Sequence, residues 1–66
     1  MNSQRENVSV TFELTKVQAL ALAQFVKRTT FTDCQDHAVT EDEAYAMMDG
    51  VNAVMRGLAE VGYNPR

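Results

Sequence analysis

Polar and apolar residues alternate strictly from Asn7 to Leu14. Val8, Val10, Phe12 and Leu14 fall on one side, and Asn7, Ser9, Thr11 and Glu13 on the other. A period of two, carried by β-branched and aromatic residues, predicts a half-buried strand over residues 7–14. A lone strand leaves its backbone donors and acceptors without partners, so it needs a second strand beside it. Two partners are open: the same strand of a second copy, or a short extended piece around Thr29–Thr32.

The period then changes to that of a helix. Thr15 and Gln18 have the spacing of a capping box, which predicts a helix over 16–28. Val17, Ala21, Leu22, Phe25 and Val26 form its main apolar face. Ala19, Leu20 and Ala23 leave little polar circumference beyond Lys16, Gln24 and Lys27, so this helix reads as a central element packed on more than one side. The segment 29–40 is too long for a tight turn. Thr32 and Gln35 suggest a second capping box and a short helix over 33–38, with Phe31 and Val39 anchoring it to the core.

Thr40 and Glu43 form the clearest box and open a long helix over 41–61. Ala44, Met47, Met48, Val51, Val54, Met55, Leu58 and Val61 recur at spacings of three and four, giving one apolar stripe. Ala46, Gly50, Ala53 and Gly57 form a separate ridge of small residues. Glycine in a helix interior costs about 1 kcal/mol relative to alanine, so the ridge suggests close approach of another helix or of a partner. Gly62 suits a left-handed residue after the helix end, with Tyr63 folding back toward Leu58, and Pro65 forbids continuation. The expected fold is a small α+β domain spanning 1–66: one N-terminal strand, then a helix, a short helix and a long helix. Residues 1–6 are polar and expected to be flexible.

Length limits what such a fold can do. A chain of 66 residues is one domain with a small core. Cys34 is the sole cysteine, so no disulfide braces the chain internally, in keeping with a reducing compartment. There is no run of 18 apolar residues, and MNSQRENVSV lacks the charged start and apolar stretch of a signal peptide. A cytoplasmic protein is the expectation.

The net charge of −3 is mild, but its distribution is one-sided. Asp33, Asp36, Glu41, Asp42, Glu43 and Asp49 fall in a stretch without a single Lys or Arg. Such a sector repels nucleic acid and attracts a basic partner. Charge in the first turn of a helix is favoured by the dipole, which accounts for Glu41, Asp42 and Glu43 without any function. It does not account for Asp33, Asp36 and Asp49.

Catalytic and metal chemistry find little footing. Cys34 and His37 are three apart with Asp33 and Asp36 nearby, but a zinc site takes three or four ligands at closed spacings, and there is no second Cys or His. Cysteine–histidine catalysis also needs an orienting group and an oxyanion hole. Neither enzyme activity nor a metal or cofactor is expected. Met47, Met48 and Met55 lie on the apolar stripe and read as packing.

The order strand–helix–helix is also that of ribbon–helix–helix repressors, which pair strands across a dimer and place them in the DNA major groove. A groove-reading strand needs base-edge donors with phosphate contacts nearby. Asn7, Ser9, Thr11 and Glu13 supply these poorly, and segment 29–40 is long for that fold. A dimeric regulator or an antitoxin-type binding module is the alternative reading, with monomer or homodimer left open.

One resemblance sharpens the first reading. Ala23-Gln24-Phe25-Val26-Lys27-Arg28, then Asp42-Glu43-Ala44-Tyr45-Ala46-Met47, then Gly57-Leu58-Ala59-Glu60-Val61-Gly62-Tyr63, resemble short proteins of phages, plasmids and mobile elements. Those proteins resemble anti-CRISPR inhibitors of type I systems, with type I-C the expected subtype. The resemblance implies an inhibitor in the bacterial cytoplasm that imitates nucleic acid with carboxylates and blocks target DNA from the surveillance complex. The acidic sector and the lack of a long apolar run add the expectation of no direct nucleic-acid or membrane binding. On charge pattern, the residues assigned to partner binding are Asp33, Asp36, Glu41, Asp42, Glu43 and Asp49, with Tyr45 on the same outward face as an anchor.

Overall fold

Three threonine hydroxyls open three helices. The structure is a computed structural model and describes residues 6–63. Helix α1 spans Lys16–Arg28, α2 Phe31–His37 and α3 Glu41–Glu60. Thr15, Thr30 and Thr40 are the N-caps, and each side chain accepts the N–H three residues on, from Gln18, Asp33 and Glu43 at 3.1, 3.2 and 3.1 Å. Each bond satisfies one of the donors a helix start leaves orphaned. At the first two caps the box closes: Gln18 Oε1 accepts the Thr15 N–H and Asp33 Oδ2 the Thr30 N–H, both at 2.9 Å.

The expected α+β class is wrong for this chain: the described residues hold three helices and no strand. Residues 6–14 form neither helix nor ladder. Among the described residues no backbone–backbone hydrogen bond involves them. The physical reason lies at Thr29–Thr32, the one internal partner considered. Thr29 caps α1, its hydroxyl donating to the Phe25 carbonyl at 2.9 Å, and Thr30 caps α2, which begins at Phe31. The same observation moves the short helix from 33–38 to Phe31–His37 and replaces the Thr32/Gln35 box by Thr30/Asp33. The long helix ends at Glu60, with Val61 as its C-cap. Of the expected flexible terminus, residues 1–5 lie outside the described residues, as does Pro65.

Helix α3 is the spine. Both α1 and α2 pack on it, and they do not pack on each other. Ala19, Ala23, Val26 and Leu58 form the α1–α3 core, with Leu22, Val51, Val54, Met55 and Tyr63 packed against it. The α3 stripe therefore faces inward as the periodicity predicts, apart from exposed Val61. The other interface includes a Cys34 Sγ to Met48 Sδ contact of 3.9 Å and the Phe31 and Tyr45 rings, with centroids 4.6 Å apart. Beyond Glu60 the chain closes as a Schellman turn: the Tyr63 N–H donates to the Leu58 carbonyl at 2.8 Å and the Gly62 N–H to that of Ala59 at 3.0 Å. Gly62 takes a φ of +97°, where a Cβ would be strained.

Two packing expectations fail. Helix α1 is packed on one side only; Val17, Leu20 and Phe25 face away from α3 and are exposed, whereas small Ala19 and Ala23 are buried. Val39, expected to anchor the α2 segment, is 90% exposed.

Candidate acidic binding face

The six carboxylates divide into two groups by what their oxygens do. Asp33 closes the α2 capping box. Glu43 bends back past Thr40, and its Oε1 accepts the Val39 N–H at 2.6 Å, one residue earlier than a standard box. Both are exposed, yet their oxygens satisfy backbone donors at helix starts. These two belong to the fold first.

Asp36, Glu41, Asp42 and Asp49 are exposed as well, and among the described residues their side chains enter no hydrogen bond. Asp42 and Asp49 are two helical turns apart on one stripe of α3, about 10 Å along its axis. Tyr45 stands between them in the sequence, 57% exposed, with its ring tilted 36° against Phe31. That contact holds the phenol in place at the α2–α3 seam, so Tyr45 is both a packing residue and an accessible one. No Lys or Arg occurs from Thr29 to Met55, so α2 and most of α3 present negative charge alone.

Cys34 is buried at 5% exposure and His37 is exposed. Among the described residues no three His, Cys, Asp or Glu side chains converge as a metal site. No helix is long and apolar enough to cross a membrane.

A second surface was not legible as a site. A groove of about 620 Å³ lies between residues 8–14 and the helices, lined by Val10, Phe12, Ala19, Ala53, Val54 and Gly57 among others. The ridge of small residues is covered by no other helix of the described residues: a Cβ placed at Gly50 or Gly57 would meet nothing within 4 Å. Two signals in the sequence bear on this surface: the apolar face of residues 8–14 with no partner, and the ridge of small residues, of which Ala53 and Gly57 line the groove.

The chain matches a family of unknown function (DUF7706) over residues 1–66 and belongs to that family. No curated protein and no solved structure matches it.

Proposed function

We propose that the protein is a non-catalytic inhibitor that acts in the bacterial cytoplasm by presenting carboxylates to a basic protein surface. The target this reading names is the DNA channel of a type I CRISPR surveillance complex, with type I-C the first to test. The observation that carries this reading is the division among the acids. Helix capping absorbs Asp33 and Glu43, while Asp36, Glu41, Asp42 and Asp49 are exposed, enter no hydrogen bond among the described residues, and fall in a stretch from Thr29 to Met55 that has no Lys or Arg. A surveillance complex gains much of its affinity for DNA from phosphate contacts in a positively charged channel. Carboxylates held on a rigid helix can occupy those contacts, with Tyr45 as an aromatic anchor at the centre. The resemblance in the Ala23–Arg28, Asp42–Met47 and Gly57–Tyr63 stretches supports the same target class.

The test is competition. Purified type I-C surveillance complex is mixed with the protein before target DNA is added, and DNA binding is read by mobility shift. The reading expects loss of DNA binding that weakens as salt rises, because carboxylate–cation contacts are screened. DNA binding unaffected by an excess of the protein rejects this target. A direct mobility shift of DNA by the protein alone would favour the dimeric regulator instead.

A further inference from the structure

We infer that the outward face of α1 docks an amphipathic helix of a protein partner, one whose flanks carry carboxylates. This does not rest on the inhibitor reading, which uses α2 and α3.

Helix α1 has two apolar faces, and the fold uses one of them. Ala19, Ala23 and Val26 turn toward α3 and are buried. Val17, Ala21, Phe25 and Arg28 recur at spacings of four, four and three, which places them on the opposite side of the helix. Val17 is 78% exposed, Leu20 49% and Phe25 65%. These residues are not scattered: with Ala21 and Arg28 they line one shallow hollow. Every residue lining it belongs to α1, so no other described element covers it. The exposed parts of the three large side chains make roughly 300 Å² of contiguous apolar surface, the scale at which patches on monomers are often functional.

The charges around this face select the partner. Lys16, Lys27 and Arg28 are exposed on α1, and no Asp or Glu occurs from Leu14 to Thr32. Three of the four Lys and Arg among the described residues are therefore on this one helix. Cations in a last turn complement the helix dipole, which accounts for Lys27 and Arg28. Lys16 stands in the first turn, where the dipole disfavours a cation, and no acid accompanies it there. The basic bias of α1 exceeds what its own dipole asks for. An apolar stripe with cations at both ends is complementary to a helix with an apolar stripe and acidic flanks.

Other occupants fit less well. Antiparallel packing of α1 on the α1 of a second copy brings Lys27 of one beside Lys16 of the other, and parallel packing sets each cation beside its own copy; both repel. The acidic side of α3 in a second copy supplies carboxylates but only Tyr45 as a large apolar counterpart. An anionic membrane attracts three cations against a net charge of −3. An acidic helix meets both the stripe and the cations, and a patch of this size suits a transient complex.

Amide NMR of the nitrogen-labelled full chain tests this with a synthetic peptide of about 14 residues, four helical turns, carrying leucines at spacings of three and four and glutamates on both flanks. The peptide should shift the α1 amides around Val17, Leu20, Ala21 and Phe25 and saturate below about 1 mM. The same peptide with lysines for glutamates should bind at least about tenfold more weakly, and added salt should narrow the difference. Phe25→Ser should weaken binding about tenfold and Arg28→Gln about threefold. Both side chains are exposed, and unchanged α3 amides report that the fold is intact. The proposal is overturned if the glutamate peptide gives no saturable shift, if its shifts fall on α3, or if the lysine peptide binds as tightly. Binding of the chain to phosphatidylglycerol vesicles but not to the peptide overturns it in favour of a membrane surface. The comparison of the two peptides uses the wild-type chain, so it decides the matter even where a variant does not fold.

Discussion

The Glu43 carboxylate accepts the Val39 N–H at 2.6 Å, just outside the Thr40 cap, so one acid of the charged run belongs to the fold. Replacing Glu43 by Ala removes a charge-assisted hydrogen bond and a favourable charge at the start of α3. A loss of about 1 kcal/mol in urea unfolding is expected. Asp42→Asn beside it should change stability by less than about 0.5 kcal/mol.

Tyr45 carries two roles that separate by substitution. Tyr45→Phe keeps the ring against Phe31 and should leave stability within about 0.5 kcal/mol. Tyr45→Ala opens the α2–α3 seam and should cost about 1–2 kcal/mol, seen as an earlier urea midpoint. Inhibition retained in Phe and lost in Ala would assign the ring, and not the hydroxyl, to the partner.

The two interior glycines of α3 differ in surroundings despite equal local space. Gly50→Ala should stabilise the chain by about 0.5–1 kcal/mol, because the helix gains propensity and the added Cβ meets nothing within 4 Å. Gly57 lines the groove beside residues 8–14, and a Cβ there also meets nothing within 4 Å, so Gly57→Ala should gain a similar amount in urea unfolding. Gly62→Ala behaves oppositely to both: at a φ of +97° a side chain is strained, and a loss of about 1 kcal/mol is expected by thermal unfolding.

Cys34 is held at 5% exposure against Met48, so its thiol should react with a bulky disulfide reagent only as fast as the chain opens. Labelling in native buffer should be slow and should become fast in denaturing urea.

The helical part of the fold was written in local signals. Thr15 with Gln18, Thr40 with Glu43, and Gly62 with Tyr63 fix two helix starts and one helix end within a few residues, and the α3 stripe needed nothing but spacing of three and four. Helix α2 began earlier because two threonines two apart, Thr30 and Thr32, both have an acceptor three residues on, and the carboxylate of Asp33 outcompetes the amide of Gln35. The strand failed for a different reason. Alternation from Val8 to Leu14 reports a face that wants burial, but whether a ladder forms depends on a partner no local pattern names. The inward face of α1 was misplaced because Ala19 and Ala23 permit close helix approach, and hydrophobicity alone favours the larger Val17 and Phe25. In the acidic run, spacing and charge could not distinguish the carboxylates engaged with backbone donors, Asp33 and Glu43, from those that enter no hydrogen bond among the described residues.

That distinction is the centre of the functional account, and one comparison tests it most directly. Asp36→Asn, Glu41→Gln, Asp42→Asn and Asp49→Asn are combined in one chain, and Asp33→Asn with Glu43→Gln in another. Both are assayed for protection of a targeted phage in cells with an active type I-C system, with helicity checked by far-UV circular dichroism. The account predicts that the fourfold variant is folded and no longer protects the phage, while the twofold variant is somewhat less stable and still protects it. Full protection by the folded fourfold variant would contradict it.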